Sequence, residues 1–374
     1  MTENRWRARA LIDACALRRN LATARRLAPA CKVMAVIKSN AYGHGIEAVV
    51  GALSRRVDAF AVATAQEGIA CRALAPATPI TLLSGPGDAD EVALCQRERL
   101  DPVVHTSAQV EWLAQYDGAP LTAWLKIDTG MGRLGLAPAQ ASAAIAKLRR
   151  NRALAELRLM SHLANADDAD DDFSTTQQTR FQRIAETREL ACSLANSAGV
   201  MRWPQTHLDW VRPGIMLYGA SPLRDARAPA IGLRPAMRLQ ARLLAIKHLA
   251  AGQPVGYGGA FVTAAPTRLG VVGYGYGDGY PRFADDASAA VQVGSRRAPI
   301  IGRISMDLTA VDLTAHDDAV EVGDEVTLWG DDQLGVDEVA QWANTIAYDL
   351  LCRVGARVLR VAADSDNDDD DNDD

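Results

Sequence analysis

The stretch Ala35-Val-Ile-Lys-Ser-Asn-Ala-Tyr-Gly-His-Gly45 sets a lysine at the end of a short apolar run and follows it with two glycines. A lysine in that position is partly desolvated, which disfavours the ammonium, lowers its pKa and leaves an amine able to attack a carbonyl. Gly43 and Gly45 free backbone N–H groups where the next helix starts, a place that suits a phosphate. Polar side chains gather in the same way in Lys126-Ile-Asp-Thr-Gly-Met-Gly-Arg133, Met160-Ser-His162, Ala195-Asn-Ser197 and Val211-Arg-Pro-Gly-Ile215. Any one of these alone reads as a turn with a capping side chain, and Lys38 alone as a lysine with its stem along apolar surface. Their recurrence after successive apolar runs points to one rim that carries them all.

The elements that must position this rim alternate along the chain. Strand-length apolar runs occur at Val33–Ile37, Ala59–Ala63, Ile80–Leu83, Pro102–Val104, Leu121–Ile127, Leu157–Leu163, His207–Val211 and Ile215–Tyr218. Between them lie helical segments such as Gly45–Arg56, Gln66–Leu74, Pro138–Arg150 and Phe173–Ala198, and an edge strand with a helix over Asp13–Leu27 comes first. Strands that alternate with helices build a parallel sheet, and eight such runs predict a (β/α)8 TIM barrel, whose active site sits where the strands end. Near Ile231 the character changes. Nine of the 29 glycines fall between Gly252 and Gly279, which disfavours helix. The runs Leu269–Gly273, Ala290–Val293, Ile300–Ile304, Thr309–Leu313 and Glu325–Trp329 predict a C-terminal mostly-β domain with one helix near Val336–Thr345. The expected organisation is a barrel over 10–230, a β domain over 231–363 joined by the edge segment 1–9, and an acidic tail.

Composition narrows the class. The 374 residues are 48% hydrophobic and 23% charged with a net charge of −6, an ordinary soluble balance that excludes collagen-like, coiled-coil and wholly disordered chains. Asp364–Asp374 holds eight Asp and no base, so residues 1–363 carry +2. That tail has nothing apolar to bury and reads as a solvating segment, dispensable for activity; it lacks the Gly and distal Glu of a calcium loop. A body near +2 with no basic face gives no reason to expect nucleic acid. No apolar stretch is long enough to cross a membrane, and the N-terminus has no secretory core. Six cysteines without CxxC pairs or zinc spacing read as reduced, mostly buried thiols in a cytoplasmic protein with no metal site.

The strings AVIKSNAYGHG, LKIDTGMGRLG, SHLANAD, VRPGIMLYG, VGYGGAF, GYGDGYPR, IGRISMDL and NTIAYDLLCR run in order from residue 35 to residue 353. With these the chain resembles the fold-type III pyridoxal-phosphate enzymes, and among them the bacterial alanine racemase family. The resemblance implies interconversion of L- and D-alanine, for D-alanine supply to peptidoglycan or for alanine breakdown, by a homodimer with shared active sites. Lys38 would hold pyridoxal 5'-phosphate as a Schiff base and act as one base, with Tyr257 from the other subunit as the opposite base. Tyrosine has an ordinary pKa of about 10, so His162 beside Arg212 would assist it through a hydrogen-bond chain. Arg212 would face the pyridine nitrogen and keep it unprotonated, which weakens the electron sink and limits transamination.

Tyr42, Ser197, Gly214, Ile215 and Tyr348 would bind the phosphate. Arg133 and the Met306 N–H would meet the substrate carboxylate, with Lys126 open to carbamylation against Arg133 and Asp128 as a competing partner. Asp167, Arg282, Arg303 and Ile346 would form the entrance corridor. Two departures stand out: the acidic run Asp168–Asp172, and Ser305 where some relatives have Cys. A broad-specificity or serine-type racemase, a decarboxylase of the same fold and a non-catalytic cofactor carrier are the competing readings. Scattered cysteines without a signal disfavour the first, Tyr257 the second and the β domain the third.

Overall fold

The computed structural model describes residues 6–186, 189–282, 288–316, 319–331 and 333–363; the acidic tail falls outside them. Eight parallel strands close into a barrel: Lys32–Val36, Ala59–Val62, Ile80–Leu82, Leu100–Val104, Leu121–Lys126, Leu154–Met160, Cys192–Ser193 and Trp210–Val211. Closure comes from the last strand pairing with the first, Lys32 opposite Trp210 and Val33 opposite Val211. The fold is therefore the TIM barrel read from the alternation, followed by a mostly-β domain.

Two strand assignments differ from expectation. Ile215–Tyr218 is a buried 3-10 turn rather than a strand, because a four-residue apolar run carries no period that separates the two. The seventh barrel strand is Cys192–Ser193, inside the segment expected to be helical to Ala198. The helix there, Phe173–Ala185, ends earlier. The helical ring is completed by Ala14–Leu27, which precedes the first barrel strand and packs between Ile46–Leu53 and Ser197–Arg202. Its Asp13 N-cap accepts the Ala16 amide at 2.8 Å, satisfying a donor the helix leaves open.

In the β domain the sheet runs Arg296–Pro299, Ala290–Val293, Glu325–Trp329, Met237–Leu249, Ala8–Ile12, Leu359–Ala362. The first strand is thus interior, not an edge: it pairs antiparallel with Met237–Leu249 and parallel with Leu359–Ala362. The far half of Met237–Leu249 turns at a bulge near Leu243 and Ala245 to pair with Thr267–Val272, which pairs in turn with Thr309–Asp312. Ile300–Ile304 is not a strand; only Ile300 makes a bridge, to Val311. A second C-terminal helix, Ala347–Arg353, follows Val336–Trp342.

One hydrophobic core runs from inside the barrel through the 3-10 turn to the β sheet, joining Leu17, Val33, Ile215, Leu239 and Trp329. The Asn20 side chain bolts the same junction, donating to the carbonyls of Leu217 and Arg234 and accepting the Arg234 amide. All six cysteines are free thiols, three of them buried, two half-buried and Cys352 exposed.

Candidate active site

The barrel strands end around a cavity of about 540 Å³. Lys38 stands two residues past the strand Lys32–Val36, Lys126 ends its strand, His162 follows Met160, and Arg212 follows Val211; all four line the cavity with Arg133. Among the described residues no carboxylate lines it. Burial lowers the Lys38 pKa, helped by Arg133, and pushes Lys126 down to about 8, helped by Arg212, Arg133 and Lys38. A cavity that crowds cations without paired anions is built for an anionic ligand. The expected competitor for Arg133 is engaged elsewhere: the Asp128 carboxylate accepts the amides of Gly130 and Gly132 at 2.9–3.1 Å.

After Lys38 the backbone turns left-handed for four residues, Ser39–Tyr42, with φ of 51–56°. Such residues cost about 1–2 kcal/mol each, so the surroundings must hold them. The Glu67 carboxylate does so, accepting the amides of Ser39 at 2.6 Å and Asn40 at 3.3 Å through one oxygen. Its other oxygen accepts those of Ala63 and Thr64, closing a capping box on the helix Ala65–Leu74. The turn ends on Gly43, where a Cβ would stand 1.9 Å from the Leu351 carbonyl oxygen. It delivers Tyr42 to a stack on Tyr218, centroids 4.7 Å apart, with Tyr348 at 6.0 Å.

Beside Tyr42, the Ser197 hydroxyl accepts the Gly214 amide at 2.8 Å and the Met216 amide at 3.4 Å, leaving its own proton to donate. A Cβ at Gly214 would meet the Tyr42 hydroxyl at 2.6 Å, so any larger residue there would push Tyr42 from its place. Tyr42, Ser197, Gly214, Ile215 and Tyr348 thus lie together on one wall of the cavity.

Among the described residues, Arg212 is buried against neutral acceptors only. Nη1 donates to the Ser193 hydroxyl and Nη2 to the Ser161 carbonyl, each at 2.5 Å, with Leu194 O at 3.3 Å and His162 Nδ1 at 3.4 Å. Burial lowers its pKa to about 10, so the guanidinium keeps its charge at neutral pH. Burial first, then Arg212, holds His162 well below the usual histidine range. A neutral imidazole that accepts at Nδ1 carries its proton on Nε2.

The remaining residues read from the sequence lie elsewhere on the chain. Tyr257 is 68% exposed on a turn framed by the hairpin Pro254–Val255 and Phe261–Val262. Arg303 reaches the same turn, its guanidinium 3.2 Å from where a Gly258 Cβ would sit. Met306 is 55% exposed, and Arg282 is exposed too. Asp167 and Ile346 line a neighbouring cavity of about 740 Å³ that shares His162, Asn196 and Tyr348 with the first. Asp167 is paired by Arg224 at 3.0 Å, which also holds Asp168 of the acidic run at 3.1 Å. Sequence reasoning missed Glu67, Ser193 and Cys352, which also lines the main cavity. Only Glu67 carried a signal, the Thr64-x-x-Glu67 capping pattern.

Comparison with known proteins agrees with this geometry. Residues 12–222 match the family model "Alanine racemase, N-terminal domain" and residues 236–362 match "Alanine racemase, C-terminal domain". An alanine racemase of Halorhodospira halophila is 46% identical over 96% of this chain and 98% of its own length. The crystal structure of biosynthetic alanine racemase from Pseudomonas aeruginosa superposes with a TM-score of 0.92 at 44% identity, covering 96% of this chain and all of that one. Alanine racemase from Bartonella henselae, solved with covalently bound pyridoxal phosphate, gives 0.87 at 30% identity, with 96% of this chain and all of that one covered. With a closed barrel ending in a cation-lined cavity, a β domain behind it and both family domains matched in order, the chain belongs to the alanine racemase family.

Proposed function

We propose that the cavity at the barrel mouth binds pyridoxal 5'-phosphate and that Lys38 and Tyr257 move the proton by which this racemase interconverts L- and D-alanine. The observation that carries the proposal is the convergence of Lys38, Lys126, Arg133 and Arg212 on one cavity without a lining carboxylate. A phosphate and a substrate carboxylate would supply the missing negative charge. The donors fit that group: hydroxyls of Tyr42, Ser197 and Tyr348 with the backbone at Gly214 and Ile215 on one wall, and Arg212 lining the same cavity. Pyridoxal phosphate, when bound, supplies the electron-withdrawing ring that acidifies the α-proton of alanine.

Every other role falls to the chain. Lys38, its pKa lowered by burial, would hold the cofactor through its carbonyl carbon, the carbonyl oxygen leaving as water, and would serve one face of the α-carbon. Arg212 would face the ring nitrogen as a donor and, because it keeps its own proton, would leave that nitrogen unprotonated. The neutral His162 would offer its Nε2–H to Tyr257 of the partner subunit, orienting that base over the other face of the α-carbon. Arg133 and the Met306 amide bind the substrate carboxylate. Lys126, with a pKa of about 8, is poised to add carbon dioxide and set a carbamate against Arg133. Asp167, Arg282, Arg303 and Ile346 control entry.

Tyr257, Arg303 and Met306 do not line the cavity of their own chain, so this reading needs a second copy. The working unit is a head-to-tail homodimer in which each β domain completes the partner's barrel. Its free cysteines suit the cytoplasm, and no described helix is long and apolar enough to cross a membrane. The division into a barrel over 10–230 and a β domain over 231–363 belongs to the same reading. Chiral analysis of alanine with and without added pyridoxal phosphate tests the activity. Covalent cofactor binding and full-rate racemisation by Lys38→Ala would overturn the assignment of that lysine.

A further inference from the structure

We infer that Ser193 is a positioning residue for Arg212, fixing which guanidinium donors face the cavity and hence the hydrogen bond available to the cofactor's ring nitrogen; this rests on the cofactor reading above. Ser193 is fully buried in the two-residue strand Cys192–Ser193. Its hydroxyl has one proton, and that proton goes to the Trp210 carbonyl at 2.8 Å. With the rotor locked, the hydroxyl lone pairs face Nη1 of Arg212 at 2.5 Å.

A guanidinium has five N–H donors. Nη2 is occupied on both sides, by Ser161 O and Leu194 O and by His162 Nδ1. Ser193 takes one Nη1 proton, so Nε–H and the second Nη1–H remain for the cavity that Arg212 lines. Among the described residues no carboxylate pairs with Arg212, and the fork is held by these neutral acceptors. Ser193 is the one among them that holds Nη1. Without it the fork is free to rotate about the Nη2 contacts and carry the remaining donors off the ring nitrogen. A ring nitrogen that loses its donor can take a proton, which strengthens the electron sink and diverts turnovers to transamination.

The test compares wild type, Ser193→Ala, Ser193→Cys and Ser193→Thr. Cysteine keeps nearly the same volume with a weak acceptor, and threonine keeps the hydroxyl. Three readouts are taken: the pyridoxal phosphate dissociation constant of the apoprotein by fluorescence, the pH titration of the bound cofactor's visible absorbance, and the ratio of racemisation to transamination. Outer partners that orient a binding group typically contribute about 10–100-fold. The expected result is at least tenfold weaker binding or a tenfold lower ratio, together with a shifted absorbance titration, in the Ala and Cys variants, with Thr near wild type. Thermal unfolding of each apoprotein separates simple loss of fold from loss of orientation, and if Ala does not fold, Cys carries the comparison. Folded Ala or Cys variants with an unshifted titration and an unchanged ratio overturn the role of Ser193 and leave the cofactor reading standing. A wild-type protein that binds no pyridoxal phosphate overturns both.

Discussion

The carboxylate of Glu67 holds the amide of Ser39 at 2.6 Å, one residue past Lys38, with the same oxygen that reaches Asn40. One acidic side chain therefore caps a helix and pins the left-handed turn that aims the lysine. It also supplies negative charge that raises the Lys38 pKa against its burial. Glu67→Gln removes the charge, so the pH at which Lys38 gains half its protons should fall, moving the acid limb of the cofactor-binding profile to lower pH. Glu67→Ala also removes the reciprocal half of the capping box, leaving the Thr64 cap, and should lower the unfolding temperature. An acid limb that does not move in Glu67→Gln would separate the two residues electrostatically.

Lys126 should give the ligand-free protein a stability that rises with pH. Its folded pKa of about 8 lies below its ordinary 10.5. Between those values the unfolded chain binds more protons, so unfolding becomes harder as pH increases. Below pH 8 both states are protonated and the cost of the buried ammonium is constant. Lys126→Met should flatten the rise in chemical denaturation between pH 8 and 10; an unchanged slope refutes the shift. At pH 7 roughly a tenth of the amine is neutral on this value, enough to react. Labelled bicarbonate should give a carbamate signal by carbon NMR in wild type and none in Lys126→Met.

Shared sites predict complementation. Lys38→Ala and Tyr257→Phe should each lose racemase activity as homodimers. Random exchange at equal amounts makes half the dimers mixed, each with one intact and one doubly altered site. The mixture should therefore recover about a quarter of wild-type activity. No recovery after verified subunit exchange would mean that both residues act within one chain.

Gly214→Ala should weaken cofactor binding while sparing the fold. The added Cβ would meet the Tyr42 hydroxyl at 2.6 Å, and overpacking of this kind costs about 1–3 kcal/mol. A rise in the pyridoxal phosphate dissociation constant of about tenfold or more is expected by fluorescence titration. Affinity equal to wild type would show that Tyr42 moves aside freely. Gly43→Ala is a contrasting case: its Cβ would stand 1.9 Å from the Leu351 carbonyl oxygen at a positive φ, and a large loss of thermal stability is expected.

Most of the barrel was legible because its strands end in polar clusters and its helices carry a 3.6-residue period. The seventh strand was not, since two residues, Cys192 and Ser193, show no alternation. The count of eight came out right only because Ile215–Tyr218 stood in for it. Residues on one chain's rim, from Lys38 to Arg212, could be grouped by their place after apolar runs. Tyr257, Arg303 and Met306 carry no such signal. Their grouping in the β domain depends on pairings such as Val255 with Phe261, which tertiary packing decides. The roles of Glu67 toward Ser39 and of Ser193 toward Arg212 are contacts between separate strands and loops, which local spacing does not encode.

The interior place of Ala8–Ile12 in the β sheet has a consequence for synthesis. Its neighbours are Met237–Leu249 and Leu359–Ala362, so this early-made strand gains its partner on one side only after about 350 further residues. At about 5–20 residues per second it waits roughly 20–70 s for its final partner. A chain cut short before residue 359 would leave one side of that strand unpaired, an open edge of the kind that invites association with other chains. That side of the strand is covered only once residues 359–362 have been made.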